Sequence, residues 1–323
     1  MGDAPSPEES ARLPRLFGLA TFALAFNVGV ILWGALVRAT GSGAGCGAHW
    51  PTCNGTVVPL DPSLGTLIEF AHRATSGLAL LLVAFLFHRV FRYRAAGHLA
   101  RFWAAAALVL ILSEAAIGAG LVLFQRVAYD PSLARGVWIS GHLINTFLLL
   151  AALTLTRRFV DEPLQIASAS PALVLRSTFP LGSREGSIGA AAAVVLLTGI
   201  TGAIAALGDT LFKVDTLREA LAQDLSPTSH LFVRLRVLHP MIAILGGCLV
   251  LMVGYRVITG NPDDLSARKR GMRLAGLIAF QWFLGLTNLV LLAPTPLQIA
   301  HLLVADLIWI TLVQVAASGE RSS

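Results

Sequence analysis

The chain has 323 residues, of which 55% are hydrophobic and only 13% charged, and its mean hydropathy is +0.73. That balance excludes a water-soluble domain and makes the bilayer the solvent. The net charge of +6 does not mark a nucleic-acid partner, because the basic residues sit in short connections between apolar runs rather than in one aromatic-laced patch.

The first ten residues carry Asp3, Glu8 and Glu9, whereas a mitochondrial presequence is Arg-rich and acid-poor. No cleaved targeting segment is expected, which favours a bacterial cytoplasmic membrane. Apolar stretches follow at 16–37, 67–87, 102–124, 137–156, 188–207, 232–258, 274–292 and 297–316. Each has about the 20 residues needed to cross a bilayer. In hydrocarbon every backbone N–H and C=O must be paired internally, and runs without strand alternation leave helices as the spanning element. The expected fold is therefore an all-α integral membrane protein with eight transmembrane helices. Sixteen Lys and Arg residues, from Arg12 through Arg89, Arg157 and Arg268 to Arg321, lie on alternate connections, and the other eight lie on the opposite side. The basic side should be cytoplasmic, with both termini inside.

An internal repeat emerges on polar landmarks. His72 and His239, Glu114 and Gln281, and Gly118 and Gly285 are all 167 positions apart, and His142 and His301 correspond after an eight-residue slip. Four helices per half is an even number, so both halves enter from the same side as a parallel repeat of two pseudo-symmetric four-helix bundles. The expected organisation is a cytoplasmic tail over 1–15, a first bundle over 16–160, a cytoplasmic linker over 161–187, a second bundle over 188–316 and a cytoplasmic tail over 317–323.

Of the eight histidines, His88 and His98 fall among inner arginines and His49 and His230 in outer loops, and all four are read as solvated. His72, His142, His239 and His301 instead lie about 10 Å inside the outer end of the even-numbered spans. An ionisable side chain in hydrocarbon is expensive, so four at one level call for a functional partner. The second and fourth helices of a half run in the same direction, which lets two imidazoles face each other across heme iron. Interhelical hydrogen bonding is the plainer alternative. Zinc suits two ligands per half, with no acidic or cysteine companion, less well.

The first outer loop, residues 41–53, is Gly-rich and holds Cys46 and Cys53 seven positions apart. Such a loop can close a disulfide on an oxidising outer face, as a staple or otherwise. Cys248, within a span, is read as core. Here the chain resembles the heme A synthase family over nearly its whole length. The resemblance rests on Leu36-Val37-Arg38-Ala39-Thr40-Gly41-Ser42-Gly43 leading into the Cys46/Cys53 loop with Trp50-Pro51, and on Glu69-Phe70-Ala71-His72-Arg73. Gly141-His142, His239 and His301 complete it.

The resemblance implies an oxidoreductase that converts a methyl group of heme O to a formyl group, making heme A for terminal oxidases. It implies that His72 and His142 are axial ligands of the substrate heme O, and that His239 and His301 hold the iron of a permanent heme b. Cys46 and Cys53 match the family's redox-capable disulfide. Glu69 matches its acidic residue beside the first histidine, where it either shuttles protons or stabilises positive charge on the oxidised methyl. Pairing with Arg73 is the alternative for Glu69. Arg38 and Arg73 are candidates for the heme propionates, with interface anchoring as their alternative. Heme O synthase and oxidase assembly factors are the partners the resemblance implies, and a homo-oligomer stays open.

The chain departs from the family pattern at Leu238-His239-Pro240, where an Arg commonly follows the histidine, and in a long polar outer segment at 208–230. Glu114 is open between catalysis and a bundle-facing hydrogen bond. Two other classes remain: a cytochrome b-like di-heme electron carrier, and a transporter built on a parallel repeat. The carrier would typically stack its hemes at different depths in one bundle, and no broken mid-membrane helices suggest the transporter.

Overall fold

The computed structural model describes residues 7–161, 185–260 and 262–317. The expected linker and carboxy-terminal tail fall largely outside them, and of the stretch read as the amino-terminal tail residues 7–15 already belong to the first helix. In chain order the helices are α1 (Pro7–Ala39), α2 (Leu64–Tyr93), α3 (Leu99–Leu123), α4 (Leu133–Phe159), α5 (Glu185–Leu211), α6 (Leu217–Leu225), α7 (Leu231–Leu235), α8 (Leu238–Gly260), α9 (Leu265–Val290) and α10 (Thr295–Ala316). Eight spans are long and apolar enough to cross a membrane, α7 and α8 together forming one of them. Among the described residues no sheet forms, and the fold is the all-α membrane protein expected.

Local chemistry sets the helix ends. Ser63 Oγ accepts from the Thr66 amide, Ser132 Oγ from the Arg135 amide and Asp264 Oδ1 from the Ser266 and Ala267 amides, satisfying N–H groups that a helix start leaves without partners. α3 and α9 stop in the same way. Gln125 and Leu292 adopt φ of 57° and 58°, and the amides after them, Arg126 and Ala293, reach back to the carbonyls of Leu121 and Asn288 at 2.7 Å. These are Schellman closures on residues other than glycine, and they too lie 167 positions apart.

The helices pack as two rings. α1–α2, α2–α3, α3–α4 and α1–α4 contacts close the first, and α5–α8, α8–α9, α9–α10 and α5–α10 contacts close the second. The seam between them is made by α1 and α4 against α10 and α5. α10 serves both cores, with Trp309, Ile310 and Val313 in the first and Ile308, Leu312 and Val315 in the second. Trp309 Nε1 donates to the Phe147 carbonyl at 2.6 Å, with the two rings stacked at 5.4 Å between centres.

Lipid tails are as apolar as leucine, so helices associate through close packing rather than expulsion of water. Buried alanines at Ala20, Ala23, Ala79, Ala100, Ala104 and Ala107 let the first ring's helices approach, while Phe22, Leu81, Phe85, Val109 and Leu245 face outward. Gly254 and Gly271 bring α8 and α9 together: a Cβ on Gly271 would lie 2.7 Å from the Gly254 carbonyl oxygen.

Two sequence expectations change. Cys248 is exposed on the helix surface rather than in the core, because the glycines beside it, Gly246 and Gly247, occupy the contact face. His98 is 3% exposed, not solvated; its Nδ1 accepts from the Ala100 amide and caps α3. His230 likewise caps α7 through the Phe232 amide and stacks on Phe212.

Replacing Gly271 with Ala should lower stability in detergent by about 1–3 kcal/mol through overpacking. Gly276→Ala, with nothing within 4 Å of its Cβ, should be neutral or slightly stabilising; thermal unfolding measures both. Burial, aided by Arg94, pushes the His98 ring from an ordinary 6.5 down to about 4. Its contribution to stability is therefore complete above pH 6.5 and lost as pH falls toward 4, where the unfolded chain takes the proton first. The protection of the Ala100 amide against hydrogen exchange, taken relative to its intrinsic rate, should fall over that window, and in His98→Asn, whose side chain caps without titrating there, it should not.

Candidate functional site

At the disulfide end of the molecule, four imidazoles come from the helices that face each other across each ring. His72 lies on α2 and His142 on α4; His239 lies at the start of α8 and His301 on α10. All four are partly buried. Small residues make room for three of them. A Cβ on Gly34 of α1 would lie 3.0 Å from His72 Cε1, one on Gly202 of α5 2.9 Å from His239 Cε1, and one on Gly285 of α9 3.3 Å from His301 Cε1. Such glycines admit close approach of a ring to a helix.

In the second ring the two side chains converge, with the centres of the His239 and His301 rings 6.3 Å apart and their planes at 82°. Two imidazoles bonded to one metal at about 2 Å each hold their ring centres roughly 6 Å apart, so this spacing accommodates an iron between them. Thr201 Oγ1 lies 3.2 Å from His239 Nδ1, and Gln281 Nε2 lies 3.1 Å from His301 Nε2. His301 Nδ1 is buried without a hydrogen bond, as is His72 Nδ1 in the first ring. Buried polar atoms without partners are rare, and each calls for an explanation. The Glu114 carboxylate approaches His142, its Oε1 3.2 Å from Nδ1. Among the described residues no group of three or more His, Cys, Asp or Glu could hold a metal ion, so any metal here would rest on imidazole pairs.

The loop over α2 is stapled by a Cys46–Cys53 disulfide with Cα atoms 4.3 Å apart. Both cysteines are buried. A Cβ on Gly45 would lie 2.6 Å from the Gly65 backbone, so the loop rests directly on the first turn of α2. Thr66 Oγ1 donates to the Gly45 carbonyl at 2.9 Å. Glu69 joins loop and helix: its Oε2 accepts from the Cys46 amide at 2.8 Å, and its Oε1 from Arg73 Nη2 at 2.5 Å and Nε at 3.1 Å. Arg73 Nη1 donates to the carbonyls of His49 and Thr52 at 2.6 and 2.7 Å. The pairing of Glu69 with Arg73 weighed from the sequence is thus present, and Arg73 spends four of its five N–H donors on protein.

Arg38 does something the sequence did not suggest. From α1 it crosses the seam, donating through Nη1 to the Ala206 carbonyl at 2.9 Å and Thr210 Oγ1 at 3.0 Å, and through Nη2 to Gln298 Oε1 at 2.9 Å. The segment 208–230 holds the last turn of α5, then α6, and ends on the cap of α7; Arg236 holds it through Asp209 at 2.9 Å and Asp224 at 2.6 Å. Pro240 falls in the first turn of α8, where a missing N–H breaks no helical bond. The contacts of Gly34 and Gly202 with histidines are not legible either, since nothing in a single sequence tells a packing glycine from a turn glycine, and Gln281, legible as a repeat landmark, shows its contact with His301 only in the structure.

Comparison with known proteins gives a consistent family. The chain is similar to the "Protoheme IX farnesyltransferase" of Thermus thermophilus, 47% identical over 309 residues, covering 94% of this chain and 48% of that protein. It is similar to the "Heme A synthase" of Staphylococcus saprophyticus, 33% identical over 173 residues, covering 51% and 56%. With the "Heme A synthase" of Alkalihalophilus pseudofirmus it shares 41% identity over 99 residues, covering 30% and 33%. The chain thus spans about half the length of the Thermus relative it matches. Residues 17–313 match the family described as "Cytochrome oxidase assembly protein", and the chain belongs to that COX15-CtaA family.

Proposed function

We propose that this chain is a heme A synthase, oxidising a methyl group of heme O to a formyl group for use in terminal oxidases. The observation that carries the reading is the convergence of paired imidazoles from facing helices, with 6.3 Å between the His239 and His301 ring centres. Family membership and relatives named as heme A synthases supply the reaction.

In this reading His239 and His301 hold a resident heme b, which supplies one-electron redox chemistry when bound. His72 and His142 bind the substrate heme O. Orphaned Nδ1 atoms on His72 and His301 suit rings waiting for a partner on one edge. Glu69 keeps a carboxylate one helical turn from His72, where it stabilises positive charge developing at the oxidised methyl. Its bond from the Cys46 amide ties that charge to the Cys46–Cys53 disulfide, the candidate redox pair. Arg38 and Arg73 retain N–H donors beyond the bonds described, which leaves each able to meet a propionate as well.

The disulfide end is the outer side of a bacterial cytoplasmic membrane and both termini are cytoplasmic. The sixteen basic residues that the sequence alone assigns to the connections on the other side, and the need of a disulfide for an oxidising compartment, support that orientation.

The name of the Thermus relative favours a second activity, farnesyl transfer to protoheme IX. That name belongs to a protein of which this chain covers only 48%, so it does not by itself assign the transfer to the matched region. The same relative supports a working partnership, since a protein named for farnesyl transfer to protoheme IX contains a region like this chain. Hand-over from a heme O synthase and delivery to oxidase assembly factors follow as partner contacts.

Extracting the pigments of the purified protein tests the reading. Heme A or a hydroxylated heme O beside heme b is the expected result. Heme b alone in both sites, with no turnover of supplied heme O, would turn the assignment to an electron carrier. His239→Ala should abolish retained heme b, whereas His72→Ala should mainly block product formation; a parental heme b content in the His239 variant would contradict the division of roles.

A further inference from the structure

Glu114 has no task in the proposed reaction, yet the structure builds it firmly beside a histidine. Its Oε2 accepts from Asn145 Nδ2 at 2.5 Å, and its Oε1 accepts from Thr146 Oγ1. Asn145 is itself fixed, with its Oδ1 accepting from Ser113 Oγ at 2.6 Å and its Nδ2 also donating to the Leu110 carbonyl at 2.9 Å. Asn145 and Thr146 are both buried. The carboxylate is therefore clamped between α3 and α4, with Oε1 3.2 Å from His142 Nδ1. Nδ1 has no aligned hydrogen bond of its own, so a small turn of the ring would complete one.

In the second ring Gln281 occupies the position 167 residues on from Glu114, and its Nε2 lies 3.1 Å from Nε2 of His301. One half thus sets a carboxylate beside the Nδ1 edge of its histidine, and the other sets a neutral amide beside Nε2. The difference is chemical as well as steric. An acceptor on Nδ1 fixes the tautomer that leaves Nε2 bare, and an anionic acceptor makes Nε2 a stronger donor to a metal.

Resting on the heme reading above, we propose that Glu114 is a positioning residue that aims Nε2 of His142 at the iron of the bound porphyrin and strengthens it as a ligand. The two iron sites, alike in their histidines, are thereby made electronically different. The first site carries the lower reduction potential, because a more basic ligand favours the oxidised metal.

The test uses the full chain, purified and loaded with heme O, in the parent and in Glu114→Gln, Glu114→Asp and Gln281→Glu. Glu114→Gln should weaken heme retention in the first site roughly 10- to 100-fold, raise its midpoint potential and shift its electron paramagnetic resonance spectrum. The second site should keep parental values. Glu114→Asp keeps the charge and should recover most of the potential. Gln281→Glu sets a carboxylate on the Nε2 edge of His301, whose open Nδ1 is the edge left for iron, and should lower the second site's potential, a readout independent of whether the Glu114 variants fold. Parental potential and spectrum in Glu114→Gln overturn the proposal, as does loss of both hemes together with an unmoved potential in Gln281→Glu. A parent that takes up no heme in either site overturns the functional reading instead.

Discussion

Hydrocarbon offers a backbone amide nothing to bond with, and from that one constraint the rest of this molecule follows. Spanning segments must be helices, helices must find each other without the help of water, and what remains inside their rings must be small or paired. The rings therefore close on alanine and glycine, and interior space is reserved for a few large polar side chains. Three of the four central histidines sit against a glycine. The same absence of side chain that lets helices touch elsewhere here leaves room for an imidazole.

Polar groups in this setting are tied to one another in short local chains. The Glu69 carboxylate binds an arginine on its own helix and an amide of the disulfide loop, so a segment that would otherwise be a loose connection is seated on the turn that carries His72. Glu114 is gripped by Asn145 and Thr146 on the neighbouring helix. In both places a carboxylate beside a histidine has its geometry fixed before any ligand arrives, which is how a site avoids reorganising when it binds.

The spans were legible from the sequence because twenty apolar residues leave little choice of structure. The matched spacing of His72 with His239 and Glu114 with Gln281 marks corresponding positions of a repeat, whereas the contacts of Glu114 and Gln281 with the fourth-helix histidines of their own halves are visible only in the structure. The closures at Gln125 and Leu292 share that spacing but were invisible, since neither residue advertises a left-handed conformation as glycine would. His98 and Cys248 were misjudged for opposite reasons. A histidine among arginines reads as wet until its capping bond is seen, and a cysteine in a span reads as buried although lipid contact satisfies it equally well. The seam could not be read at all: nothing in the residues around Arg38 announces acceptors 168, 172 and 260 positions away.

That arginine changes what the halves can do separately. A guanidinium that has left water needs its acceptors at hand, and for Arg38 every protein acceptor belongs to α5 or α10. A polypeptide cut between α4 and α5 would leave its amino-terminal fragment with a stranded cation near the membrane surface. Split genes for this architecture would thus produce pieces that must reunite side by side in the bilayer before either reaches its finished form.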